Sequence, residues 1–358
     1  MRNFESRRGS GGTTRKTVFS SAVVTGNTLI VLLAAFTLLF TITRTRLQRS
    51  GYGFTGDEPH YLLITHSLVK DMDLDLGNQY LLGDDKRFHP ALDHHTTIVN
   101  GRELSIHHIG LPLLLAGPYA IMGQAGAAAA MIAIALTGLA LMYRFLLLHD
   151  YPPWLAAAIL AAAAGTAPFM IYGVEVFPAF PAAVLMALAL QPQHTRRARI
   201  ACLTIPVFLL PWLHLRFILL SLGILLSALA RSDRKHFIPS CAGAFVLTIL
   251  GNLGFYLAVH GHPLAGFGLH PTPHLQLDSL RAAIGLFLDQ RFGLLPFNPI
   301  LWLLPAGLAL THRRHPGLPG HLLLLSGPYL LLIIAFPEWW GGWCPPGRYL
   351  APLLPLFL

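Results

Sequence analysis

Apolar residues fall in blocks along this chain, and stretches of roughly 15 to 25 of them recur between short polar breaks from residue 18 to the last residue. Blocks of that length predict membrane helices, because a helix rising about 1.5 Å per residue needs about 20 residues to cross a bilayer core of about 30 Å. The first block, residues 18–42, follows a polar, basic tail at 1–17. A cleaved leader would have an apolar core of about 7–15 residues ending in small residues, so this block is predicted to be a retained first helix. Further spans are predicted at about 125–147, 154–175 and 178–191. The run 109–123 rises only about 22 Å, and Pro112, Gly117 and Pro118 interrupt it. It is predicted to lie in the interface or re-enter rather than cross.

The polar breaks set the orientation, because arginine and lysine concentrate in cytoplasmic loops. Arg2, Arg7, Arg8, Arg15 and Lys16 precede the first helix, and basic clusters at 195–199, 231–235 and 311–315 separate later blocks. With Arg144 and His149, they are predicted on the cytoplasmic side. Glu175 and residues 211–216, 260–292 and 338–348 alternate to the outside, as does a long loop at 43–124 containing interfacial helices. The predicted fold is all-α, a single polytopic membrane bundle over residues 18–358 with about ten spans. Its final block begins at Tyr349 and runs to Leu358, which reads as a last span cut short, with the C-terminal part truncated or absent.

Composition agrees with that reading. Hydrophobic residues make up 54% of the chain and charged residues 11%, against about 25% charged in soluble proteins; too little charged surface remains for a domain in water. The net charge of +9 is scattered in short clusters between apolar blocks, which suits membrane topology and argues against nucleic acid as a partner. Cys202, Cys241 and Cys344 lie far apart and form no Cys-x-x-Cys, so neither a disulfide framework nor a zinc ribbon follows.

Candidate chemistry gathers on the outward side. The first loop reads Gly56-Asp57-Glu58-Pro59-His60-Tyr61, followed by an apolar run and then Asp71, Asp73 and Asp75. Asp57 suits a helix N-cap, since Glu58 and Pro59 favour a first turn. The same two carboxylates suit a general base or a site for a divalent cation. His89, Asp93, His94, His95, His107 and His108 follow in the loop, with a spacing that matches no structural zinc motif. Elsewhere outside lie His214 and Arg216, Asp289 and Arg291, and the segment Trp339-Trp340-Gly341-Gly342-Trp343 with Arg348 and Tyr349. Tryptophans at helix ends commonly anchor to the interface. An arginine in an apolar stretch, such as Arg216, normally faces a cavity or a partner. Arg216, Arg291 and Arg348 on one side would suit a phosphate or pyrophosphate; separate snorkelling to headgroups is the simpler reading of each alone.

An Asp-Glu pair in a long outer loop after the first helix resembles the GT-C superfamily of membrane glycosyltransferases, which includes protein O-mannosyltransferases and aminoarabinose transferases. Residues 56–61, Asp73-Leu74-Asp75-Leu76, and residues 107–114, 211–217, 289–299 and 340–350 look, in order, like uncharacterised bacterial proteins of that type. The resemblance implies a polyprenyl-phosphate sugar donor, an acceptor glycan, lipid or protein, and a site on the outer face of the bacterial plasma membrane. It places the catalytic carboxylate on Asp57, with Glu58 beside it. His60, Tyr61, His107, His108, His214, Arg216, Asp289, Arg291, Arg348 and Tyr349 are then the substrate-binding candidates, and a divalent metal ion is the one cofactor left open. The chain departs from the family where Glu175 precedes Pro178 in place of a Pro-Glu pair, and in stopping before any further helices or soluble domain. The reading from a different class is a lipid or glycolipid transporter or flippase, which would place ionisable groups near mid-membrane; here mid-helix positions are almost all apolar.

Overall fold

The computed structural model describes residues 11–49, 56–193, 195–231, 235, 237–265, 277–314, 316–342 and 344–358. Arg2, Arg7 and Arg8 of the tail, residues 232–234 and 315 of the basic clusters, and Trp343 lie outside the described residues. What is described is mostly helical, with a single two-stranded hairpin among the described residues.

Helix α1 (Gly11–Arg49) continues past position 43, where the apolar pattern predicts its exit. The extra turns end on Arg46 and Arg49, cations that suit the negative end of a helix dipole. Within the loop expected at 43–124 lie two short helices, α2 (Glu58–Lys70) and α3 (Gly77–Leu82), and α2 is buried from Glu58 through Ser67. The loop also holds a hairpin, β1 (Thr96–Val99) and β2 (Arg102–Ser105), paired antiparallel with Thr96 opposite Ser105 and Val99 opposite Arg102. Its turn, Asn100-Gly101, has both φ angles positive, as a two-residue turn matching strand twist requires.

Helix α4 (Gly110–Leu147) is two helices joined at a kink: Met122 and Gly123 leave helical geometry, and Gly123 has φ 58°. The short run 109–123 is therefore set apart from 125–147 as the sequence predicts, although the helix continues through Pro112, Gly117 and Pro118 and breaks at Met122 and Gly123. The kink folds the chain back so closely that a Cβ on Gly126 would lie 1.9 Å from the Pro118 carbonyl oxygen. The stretch 154–175, expected as one span, is divided into α5 (Pro153–Ala164) and α6 (Ala167–Tyr172). The break falls at Gly165 and the extended Thr166, and Pro168 sits in the first turn of α6, where its missing N–H is tolerated.

Next come α7 (Ala179–Ala189), α8 (Arg196–Leu213), α9 (Ile218–Leu229) and α10 (Ile238–His260). The Thr195 hydroxyl accepts from Ala198 N and caps α8. A helix also occupies part of the connection expected at 260–292, namely α11 (Leu277–Leu288), before α12 (Leu304–Arg314) and α13 (Leu318–Ala335). Residues 351–356 wind as a 3-10 helix packed on α7, since Pro352 and Pro355 remove the amides an α-helix needs.

Among the described residues, four helices are long and apolar enough to cross a membrane: Val24–Arg49, Gly110–Leu147, Ile238–His260 and Leu318–Ala335. Their outer faces expose Val31, Leu38, Leu250 and Leu323, each 60% or more accessible. Such rows would be an aggregation hazard in water and are the normal surface of a helix in lipid. The fold is thus that of a helical membrane protein.

Candidate active site

Asp57 occupies the N-cap position of α2 that its sequence context predicts, yet its side chain makes no capping hydrogen bond. It instead accepts from Arg348 Nη2, 291 positions further along the chain. Arg348 is held on its other side by the Gly341 carbonyl oxygen, 2.7 Å from Nη1. That carbonyl is presented because Gly341 adopts φ 94°, and a Cβ there would come within 2.9 Å of Cys344 Sγ. Burial alone would raise the Asp57 pKa, but the charge and hydrogen bond of Arg348 outweigh it, with Arg216 adding a smaller share. The carboxyl is held well below the usual carboxylate range.

The pair borders a cavity of about 910 Å³. Asp57, His60, Arg291, Arg348 and Tyr349 all line it, so five of the sequence candidates converge there, joined by His95, Asp93, Glu175 and Glu338. Arg216 approaches through its guanidinium, 4.9 Å above the Tyr349 ring. The Nε atoms of Arg216 and Arg348 are buried without a hydrogen-bond partner among the described residues.

Glu58 goes elsewhere. It is 1% exposed, and its Oε1 accepts from Arg44 Nη1 at 2.7 Å and from Val176 N at 3.0 Å. Arg44 also donates to the Val174 carbonyl oxygen. This buried pair pins the segment that carries Glu175 into the cavity wall. The joint Asp57–Glu58 cation site expected from the sequence is therefore divided, each carboxylate having its own guanidinium. Asp289 departs similarly: its Oδ1 accepts from Arg291 N and Phe292 N and closes its own turn.

The histidines sort into two groups. At the base of the hairpin, Ile106 N donates to the His95 carbonyl oxygen, which carries His107 back beside His95, their Nε2 and Nδ1 atoms 3.2 Å apart. His60 stacks on His95 with ring centroids 4.0 Å apart, and Tyr61 lies behind His107 at 5.0 Å. Burial pushes His60 down to about 3 and His107 to about 4, so both imidazoles are neutral. The second group is His108 stacked on His214, centroids 4.3 Å apart. Burial lowers His108 to about 3, and neither of its ring nitrogens has a hydrogen-bond partner among the described residues. His89 lines the cavity, while His94 is engaged by Glu103.

Asp73 and Asp75, conspicuous in the sequence, are structural. Asp73 Oδ1 accepts from Ser67 Oγ, and Asp75 Oδ1 accepts from Gly77 N and Glu103 N, tying α2 to α3 and to the hairpin. Sequence reasoning missed Arg44 as the partner of Glu58 and missed the clustering of His60, His95 and His107. The Asn100-Gly101 turn between apolar positions was the available signal for the second.

A second cavity, of about 920 Å³, collects Arg199, Arg231, His149 and His321. Arg144 donates to Gln191, which lines that cavity. Residues from three of the basic breaks, at 144–149, 195–199 and 231–235, thus line or border this one cavity.

Comparison with known proteins finds no matching family model, no matching curated protein and no matching solved structure.

Proposed function

We propose that this chain is a membrane glycosyltransferase of GT-C type, moving a sugar from a polyprenyl-phosphate donor to an acceptor hydroxyl on the outer face of the bacterial plasma membrane. The observation that carries the reading is the Asp57–Arg348 pair at the wall of a cavity that Arg291 also lines and Arg216 approaches. A carboxylate beside several guanidiniums is what such a reaction requires: a base for the acceptor and an anion grip for the leaving phosphate. The volume, about 910 Å³, suits a sugar phosphate, as small-molecule sites span about 300–1,000 Å³. The buried, unpartnered Nε atoms of Arg216 and Arg348 are donors in want of an acceptor. The clustering of basic residues at the second cavity supports the outward orientation of the first, and the about ten-span topology is proposed with it.

An Arg-paired carboxylate is a weak base, and the donor resolves this. Phosphate competes for Arg348, since guanidinium binds phosphate oxygens in a bidentate fork. Donor binding thereby loosens the pair and lets the Asp57 pKa rise toward its ordinary value. The acceptor O–H gives its proton to Asp57 as its oxygen forms a bond to the anomeric carbon. The bond from that carbon to the phosphate oxygen breaks with inversion, through an oxocarbenium-like transition state. Its electron pair leaves on the polyprenyl phosphate, which Arg348, Arg216 and Arg291 stabilise. Glu58 holds the neighbouring segment in place and touches neither substrate.

The test is incubation of the full-length protein in detergent with labelled polyprenyl-phosphate sugars. Donor turnover is expected, and Asp57→Asn should lower it about 10²-fold or more. Turnover undiminished in a folded Asp57→Asn protein would remove the proposed base.

A further inference from the structure

Three imidazoles from two distant stretches of the loop meet at one point. One ring nitrogen each from His60, His95 and His107 lie within 4.8 Å of one another. Metal–nitrogen bonds of about 2.0–2.1 Å at tetrahedral angles put ligand nitrogens about 3.3 Å apart. His95 Nδ1 and His107 Nε2 already stand 3.2 Å apart. The remaining gap to His60 is within the sweep of an imidazole turning about χ2, a soft torsion.

Asp93 supplies an independent sign. Its Oδ2 lies 3.0 Å from His95 Nε2, and its Oδ1 lies 3.8 Å from His60 Nε2. A carboxylate on one ring nitrogen fixes the proton there and turns the lone pair of the other nitrogen, here Nδ1, toward His107. Carboxylate–histidine–metal relays are built this way. Two nitrogen lone pairs facing each other repel unless a proton or a cation lies between them. His94, next in sequence to His95, is instead held by Glu103 and stacked on Tyr80, so adjacency alone does not recruit a histidine to the group.

We propose that His60, His95 and His107 bind one divalent transition-metal ion of zinc type, with Asp93 as the outer carboxylate on His95. The donor set is nitrogen, which suits zinc, cobalt or nickel and disfavours magnesium and calcium. His60, His95 and Asp93 also line the Asp57 cavity, so a fourth coordination position opens on it and takes an oxygen ligand, in the manner of open zinc sites. The metal also ties α2 to the hairpin, fixing the loop that carries Asp57. The site does not depend on the transferase reading.

The experiment uses full-length protein purified in detergent with a histidine-free affinity tag, stripped by chelator and titrated with Co²⁺ as a spectroscopic probe. The expected result is saturation at one equivalent per chain, with visible ligand-field bands lost on adding Zn²⁺. His95→Ala and His107→Ala should each abolish the bands, and Asp93→Asn should weaken affinity about 10- to 100-fold. His94→Ala should leave binding unchanged. His95→Cys, which replaces one ligand by another, should restore binding with an added thiolate-to-cobalt band, separating ligation from folding. Absence of saturable binding in the folded wild type, or binding that survives the combined His95→Ala and His107→Ala substitutions, would overturn the proposal. Failure of the sugar-transfer assay alone would leave it standing.

Discussion

Asp57 and Glu58 are neighbours in sequence but send their carboxylates to different guanidiniums, Asp57 to Arg348 at the cavity and Glu58 to Arg44 in the interior. The first turn of α2 makes this divergence possible, because consecutive residues on a helix point about 100° apart. One acidic dipeptide thereby anchors the loop and furnishes the site.

The two carboxylates should fail differently on substitution. Glu58→Gln leaves Arg44 charged and buried, at a cost of about 3–5 kcal/mol, so thermal unfolding in detergent should show a marked loss of stability. Replacing Arg44 and Glu58 together by apolar residues of similar volume should recover most of it. Asp57→Asn should change stability little by comparison and fall chiefly on turnover. A Glu58→Gln protein as stable as the wild type would contradict the structural role.

Arg348→Gln should raise the acid limb of the pH–rate profile. The Asp57 carboxyl is held low chiefly against its own burial by the Arg348 charge, and without that charge its pKa rises. Activity would then be lost at higher pH on acidification than in the wild type. Arg348→Lys keeps the charge but not the bidentate fork, so it should preserve the profile and weaken donor binding. An Arg348→Gln profile superimposable on the wild type would rule out the coupling.

Acidification should destabilise the chelated protein below neutrality. Burial lowers His60, His107 and His108 from 6.5 to about 3, 4 and 3. The unfolded chain therefore binds protons that the folded chain does not between those limits, and stability falls as pH drops below 6.5. Thermal midpoints measured at pH 7 and pH 5 should show the lower value at pH 5; an equal or higher one would mean these rings are not buried neutral.

Gly126→Ala should disrupt the α4 kink, since the added Cβ would collide with the Pro118 carbonyl, an overpacking cost of about 1–3 kcal/mol. Gly117→Ala, where a Cβ would meet nothing within 4 Å, should be neutral or mildly stabilising. The two variants compared by fluorescence-detected gel filtration after heating provide the check, and equal tolerance would mean the fold-back is not required.

The proposed orientation sets the two cavities on opposite faces of the membrane. With the native cysteines replaced, cysteines at Asp93 and at Arg231 should react with an impermeant maleimide from opposite faces, Asp93 in intact cells and Arg231 only after permeabilisation. Labelling of both from the same face would refute the proposed orientation.

The sequence by itself determined that this is a helical membrane chain, where α4 breaks, and where α2 begins. Those properties are local: block length decides whether a helix can span, a run too short to cross ends at Gly123, and Asp57-Glu58-Pro59 decides a first turn. It also singled out Asp57, Arg348, Arg291 and His60, which line one cavity. Only the tertiary structure decided which carboxylate meets which arginine, because Asp57 and Arg348 are 291 positions apart and Glu58 and Arg44 only 14. It likewise decided which of the many histidines gather. His95 and His107 are brought together by the antiparallel register of β1 and β2, and His60 reaches them from the start of α2. The hairpin register follows from its local turn, but the meeting with His60 and the carboxylate–arginine pairings depend on how elements pack in three dimensions.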